Sequence, residues 1–185
     1  INSALGMQMP WPLVPTRIQV LHINRSEGVK GHIPVCVDAA AGIYFRAQNR
    51  AQQILIGSVR EEDEREIVPY PDELKTYFDD DFANNKLHAL QHRIPALQIR
   101  GPVRGYSGLY TLNRADVHPI VGRTPIPGFL VANGFSGHGF KLAPAVGSIL
   151  AREITGLSDA FDTVIDHSFL GFDRTPIHLE SHSVL

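Results

Sequence analysis

Asn133-Gly134-Phe135-Ser136-Gly137-His138-Gly139-Phe140-Lys141 is the stretch on which the reading of this chain turns. Before it, Phe129-Leu130-Val131-Ala132 has the short apolar run of a buried strand. After it, Leu142, Val146, Ile149, Leu150 and Ile154 recur along one face of a helix that Gly156 would stop. A strand, a glycine-rich loop and a helix therefore follow one another directly. Glycines at 134, 137 and 139 let backbone approach a partner with no Cβ in the way. The first turn of the helix presents N–H groups without intrahelical acceptors, at the positive end of its dipole. That combination suits an anion or an electron-rich carbonyl, and Lys141 adds a full charge at the same place.

Two familiar chemistries are excluded here by single residues. A serine-hydrolase elbow, G-x-S-x-G, needs glycine two positions after Ser136, where His138 stands. A dinucleotide fingerprint, G-x-G-x-x-G, begins at Gly137 and Gly139 but meets Leu142 where the third glycine belongs. On these residues alone, a turn that only packs the helix on the strand is an equal reading.

Working outward, Val103 to Leu112 reads as a long strand and Pro119 to Gly122 as a short one. Upstream, Arg17–Asn24, Pro34–Asp38, Gly42–Arg46 and Gln53–Gly57 are short β-rich runs separated by turn-prone or polar residues, as in an antiparallel sheet. Pro71 to about His92 has a helical pattern, expected as two short helices, and the charge run 61–66 is expected as a solvated loop. The tail after Asp159 has no element to assign. The fold class is α+β: a mostly antiparallel sheet with flanking helices, plus the strand–loop–helix near the end.

Composition bounds the function. A formal charge of −2 leaves no basic field for nucleic acid or an anionic membrane. No apolar run reaches bilayer length and no signal pattern opens the chain, so a soluble protein is expected. The single cysteine, Cys36, leaves no internal disulfide and points to a cytoplasmic location. A start at Ile1-Asn2-Ser3 without methionine is expected of a piece of a longer gene product. His88 and His92 stand at i, i+4 on the helical stretch, but no third ligand accompanies them and no metal is expected. Asp79-Asp80-Asp81 is expected as a solvated helix end.

The segment Gly134 to Gly147 (GFSGHGFKLAPAVG) resembles the C-terminal flavin-contacting motif of the D-amino-acid oxidase superfamily, particularly its sarcosine oxidase and dimethylglycine dehydrogenase-like branch. The resemblance extends through Gly108–Leu112, Asp116–Gly122 and Phe129–Ala132, and to Gly42–Arg46 and Ile54–Gly57 of the substrate domain. It implies residues 1–112 as substrate-binding domain and 113–185 as the C-terminal part of the FAD-binding domain. The N-terminal half that cradles the nucleotide, with its G-x-G-x-x-G, has no match here and is expected as the missing partner.

The resemblance also implies site roles. Gly134, Phe135, Ser136, Gly137, His138, Gly139, Phe140 and Lys141 would contact FAD, together with Gly108, with the helix dipole near the edge that becomes anionic on reduction. Lys141 would anchor the substrate carboxylate and Tyr110 would line the pocket. As residues by themselves, Lys141 also reads as a solvated helix-start lysine, Tyr110 as a core aromatic and His138 as loop structure. Sarcosine oxidases of the monomeric type attach flavin through a cysteine where this chain has Gly108, which excludes that covalent link. The same enzymes carry an oxygen-activating lysine where Leu55 aligns, which favours a dehydrogenase. The implied activity is oxidation of the C–N bond of an amino acid or N-methyl amino acid, by hydride transfer to non-covalent FAD. This piece alone would bind FAD weakly and be inactive. The alternative is a non-catalytic flavoprotein-fold binding or assembly factor.

Overall fold

A computed structural model describes residues 3–178, so the Ile1-Asn2 start and the end of the expected 113–185 segment lie outside the described residues. The strands are β1 (Leu13–Asn24), β2 (Cys36–Asp38), β3 (Ile43–Gln48), β4 (Gln53–Ser58), β5 (Arg104–Asn113), β6 (Ile120–Arg123) and β7 (Leu130–Asn133). The helices are α1 (Asp80–Arg93) and α2 (Gly139–Thr155). A five-stranded sheet has the order β2-β3-β4-β1-β5, and β6 and β7 form a separate antiparallel pair. The fold is α+β with mainly antiparallel pairing. The chain divides into two compact units: Thr16–Leu109, and residues up to Pro15 together with those from Tyr110 onward.

In the Thr16–Leu109 unit, alternation decides which face is buried. Leu21 and Ile23 of β1 stand opposite Ile56 and Ile54 of β4, and Phe45 of β3 stands opposite Ile56 on its other side. All five are buried and share one core with Phe82 and Leu90 of α1. The expected pair of helices in Pro71–His92 is a 3₁₀ turn at Pro71–Glu73 and one true helix, α1. Between them lies a segment held by Arg17.

Arg17 is 2% exposed. Its Nη1 donates to Glu66 Oε2 (2.8 Å) and Asp79 Oδ2 (2.6 Å), its Nη2 to the Tyr77 carbonyl (2.5 Å), and its Nε to Ser107 Oγ (3.1 Å). One buried guanidinium thus fastens the 66–79 segment to β1 and β5, with each of its nitrogens satisfied. The charge runs are therefore less solvated than their composition suggests. Glu64 is buried, Asp63 pairs with Lys86, Glu66 pairs with Arg17, and Asp79 turns its carboxylate away from capping α1 toward Arg17 and Lys75.

In the other unit, β6 divides two clusters by its pleat. Ile120 faces Met7, Trp11, Val131 and Phe172, whereas Val121 faces Val146 and Ile149 of α2 and Leu170. The tail, for which the sequence offers no element, is fixed by a charge. Asp116 is fully buried and accepts from Asn113 Nδ2 (2.9 Å), His118 N (3.0 Å), Ile177 N (2.9 Å) and both Nη atoms of Arg174. The Arg174 guanidinium lies 4.2 Å above the Trp11 ring, and Trp11 Nε1 donates to the Phe172 carbonyl (2.8 Å). Burial raises the pKa of Asp116, but Arg174 and the amides of Ile177 and His118 outweigh it and hold the carboxyl below its usual range.

Two outcomes test these anchors. Arg17 and Lys75 hold the Asp79 carboxyl at about 2, against 3.8 for an unperturbed group, so its stabilisation is complete above pH 4 and drains as pH falls from about 4 to 2. In urea denaturation, Asp79→Asn should be less stable at pH 6 and lose less than the parent across that acid window. Replacing Arg174 by Met strands a buried carboxylate and should cost about 3–5 kcal/mol. A loss of only ~1 kcal/mol, the size of an exposed pair, would mean that the tail is held by apolar packing instead.

Candidate functional site

The pairing of β6 with β7 delivers the chain to Asn133, opposite Ile120, and the loop Gly134–His138 then turns it into α2. Three of the loop's residues are left-handed: Gly134 (φ +70°), Ser136 (φ +46°) and Gly137 (φ +80°). Ser136 tolerates this because its polar atoms are all engaged within the fold. Its Oγ accepts from Asn113 N (3.0 Å) and donates to the Gly134 carbonyl (3.2 Å), and its N–H donates to the Thr111 carbonyl (3.1 Å). The side chain is fully buried, so its hydroxyl bolts the loop to the end of β5.

The glycines are required for space as well as for dihedral angle. A Cβ on Gly137 would lie 2.5 Å from the Tyr110 ring, and one on Gly134 2.8 Å from Leu13 Cδ2. A Cβ on Gly139 would sit 3.4 Å from Phe135 Cβ. The close approach that glycine permits is thus used first inside the protein, and Tyr110 is the residue packed into it. Phe135 is half-buried and packs with Leu142 against the Val121–Ile149 cluster.

What the loop leaves outward is the start of α2. His138 precedes the helix with φ −90° and ψ −5°, and no side chain caps the first N–H groups. The His138 N–H donates to the Phe135 carbonyl (2.8 Å), and its own carbonyl accepts from Leu142 N (3.2 Å). Phe140 is 98% exposed. Lys141 is exposed too, on the third residue of the helix, and forms no ion pair among the described residues. Beside it opens a mainly apolar cavity of about 300 Å³, walled by Val117, His118, His138, Leu142, Val146 and Phe169 among others. A helix dipole, uncapped N–H groups and an unpaired ammonium converge on one edge, a chemistry that receives negative charge.

The structure brings Gly134–Lys141 and Tyr110 together in one unit, and leaves Gly108 in the Thr16–Leu109 unit. A Cβ on Gly108 would meet nothing within 4 Å, so nothing in this chain's packing demands glycine there. Leu55 is buried in β4 between His22 and Arg46. Asn113 is the supporting residue that motif reading missed. Its signal was local: Asn113 Oδ1 accepts from Ala115 N (3.1 Å) and Asp116 Oδ1 from His118 N, two Asx turns in succession before Pro119. Arg174 carried no such signal. Among the described residues, no helix is long and apolar enough to cross a membrane. No three His, Cys, Asp or Glu side chains among them gather as metal ligands.

Comparison with known proteins agrees with this architecture. A protein named FAD-dependent oxidoreductase domain-containing protein 1, from Xenopus laevis, is 31% identical over 155 residues, covering 83% of this chain and 30% of its own length. L-proline dehydrogenase from P. horikoshii has a similar structure at a TM-score of 0.70 and 22% identity, over 93% of this chain and 42% of that one. Glycine oxidase from Geobacillus kaustophilus matches at 0.66 and 17% identity, over 94% of this chain and 42% of that one. The chain thus spans less than half the length of each. The family described as FAD dependent oxidoreductase (DAO) matches residues 2–153. This chain belongs to the FAD dependent oxidoreductase family, whose cofactor is FAD.

Proposed function

We propose that this chain is the substrate-binding and flavin-completing part of an enzyme that oxidises the C–N bond of an amino acid or N-methyl amino acid. The observation that carries the reading is the start of α2: uncapped N–H groups, with Lys141 unpaired on the same turn and the Tyr110 ring seated on Gly137. The residues fit a flavin edge, because that edge gains negative charge on reduction and the helix start offers fixed donors and a dipole of matching sign. Non-covalent FAD supplies the electron acceptor when bound.

The chain's own residues divide the remaining work. Lys141 binds the substrate carboxylate, and with no ion pair to another described residue its ammonium is available. The apolar wall of the adjoining cavity keeps water from the bound group and strengthens that attraction. The backbone from Gly134 to Phe140 borders the cofactor, while Ser136 and Tyr110 keep the loop in register. Residues 1–112 form the substrate-binding domain, and residues 113–185 complete the FAD-binding domain. The main cradle of the nucleotide belongs to a preceding half, since no G-x-G-x-x-G occurs in these 185 residues. The chain alone therefore binds FAD weakly and does not turn over. Leu55 supports an acceptor other than oxygen. The single cysteine, Cys36, supports a cytoplasmic location.

The decisive experiment is anaerobic mixing of the full-length flavoprotein with sarcosine, proline and N-methyl amino acids while the 450 nm flavin band is followed. Bleaching by at least one of them is expected. A band unmoved by all would favour a non-catalytic binding or assembly role. Lys141→Met should raise KM for the active carboxylate substrate by about 10- to 100-fold, the worth of one charge-assisted hydrogen bond. An unchanged KM would remove Lys141 from carboxylate binding. A tight, stoichiometric yellow complex of the 185-residue chain alone would overturn the division of labour.

A further inference from the structure

A second cavity lies in the Thr16–Leu109 unit, between α1 and the 3₁₀ turn Glu61–Glu64 that follows β4. It is a half-open groove with a volume of about 660 Å³, walled by Arg60, Glu62, Asp63, Lys86, His88 and His92 together with apolar surface. Its floor is built. Lys86 is 4% exposed, and its Nζ is 2.6 Å from Asp63 Oδ2 and 3.2 Å from the Gly42 carbonyl. That carbonyl also accepts from Val59 N (3.3 Å), so the β2–β3 turn, the Glu61–Glu64 turn and α1 meet there. Gly42, at φ +73°, leaves room for the Arg60 stem, since a Cβ would lie 2.0 Å from Arg60 Nε. The Arg60 stem therefore lies over Gly42, with the side chain exposed to solvent at the mouth of the groove.

The charge balance of the cavity is unusual. Asp63 is answered by Lys86, whereas among the described residues Arg60, His88 and His92 have no ion-pair partner and share the wall with one unpaired carboxylate, Glu62. Of the other charges on these elements, Glu61 pairs with Arg65, Arg93 pairs with Asp38 and Glu64 is buried; Asp81 shares the His88 face of α1 two helical turns earlier but does not wall the cavity. The i, i+4 spacing of His88 and His92 sets both rings on one face of α1, and no third metal ligand joins them among the described residues. With both imidazoles neutral, the free groups cancel; with both protonated, the cavity carries excess positive charge.

We propose that this cavity is a binding site for a small polyanion, such as a di- or tricarboxylate or a phosphate ester, separate from the site at the start of α2. Arg60 supplies a planar fork for carboxylate or phosphate oxygens, and His88 and His92 add donors when protonated. Occupancy therefore rises on acidification and weakens with salt. The volume admits a ligand well above the size of inorganic phosphate.

The test is isothermal titration calorimetry on the full-length protein with citrate and with pyrophosphate, at pH 6 and pH 8. A Lys141→Met background keeps the other carboxylate site from contributing. Binding of at least one probe at pH 6, weaker by tenfold or more at pH 8, is expected. Arg60→Met and the double variant His88→Gln/His92→Gln should each weaken it at pH 6 by tenfold or more. In the parent background, both should leave flavin reduction unchanged. Absence of binding by both probes at pH 6, equal affinity at the two pH values, or unaltered affinity in both variants would overturn the proposal. Citrate binding without pyrophosphate, or the reverse, would support it and name the oxyanion class.

Discussion

Asn113 is the residue through which the candidate site is held in place. It is fully buried, and its polar groups are used in both directions. Its N–H donates to Ser136, its side-chain amide donates to Asp116 and to the His118 carbonyl (2.7 Å), its side-chain oxygen accepts from Ala115, and its carbonyl accepts from Val117 (2.9 Å). A satisfied buried amide is rigid, because each group removed would leave its partner unpaired in a low-dielectric interior. The end of β5, the turn before β6, the glycine-rich loop and, through Asp116 and Arg174, the tail are thus tied to one side chain. Val117, a β-branched residue at φ +52°, shows how strongly the two Asx turns fix the backbone between them.

Much of this was legible in the sequence, for reasons that are physical. Short β-rich runs bounded by turn-prone or polar residues placed β1, β3 and β4, because a sheet with a buried face is built from such apolar runs. The β7–loop–α2 order followed from an apolar run, three glycines and a 3.6-residue period. Gly156 ends α2 at φ +70° with its N–H on Arg152, as its position after the last apolar residue implied. Long-range charge pairing was not legible. The partner of Asp116 lies 58 residues away, and Arg17 gathers Glu66 and Asp79 from 49 and 62 residues away. Local composition made the 61–66 and 79–81 runs look solvated, since nothing in them signals a buried arginine elsewhere in the chain.

The geometry also changes what the glycines mean. Three glycines in six residues invite the reading that a ligand needs the space. Here Leu13 and Tyr110 fill the space beside Gly134 and Gly137, so those two residues would be required with or without a cofactor. Their presence alone therefore weighs less for flavin binding than the motif suggests. What discriminates is the neighbouring backbone. A helix start without a capping side chain forgoes about 1 kcal/mol that serine, threonine or aspartate would provide.

The only hydroxyl in the loop, that of Ser136, sits two residues before the cap position and is turned inward. His138 stands at the cap itself without a capping bond from its side chain. The helix continues through Pro144, which withholds a further N–H from the interior. A sequence selected only to pack α2 on β6 would gain by capping it. Keeping the first N–H groups of α2 outward, next to an unpaired Lys141, favours a partner that brings its own acceptors to that edge.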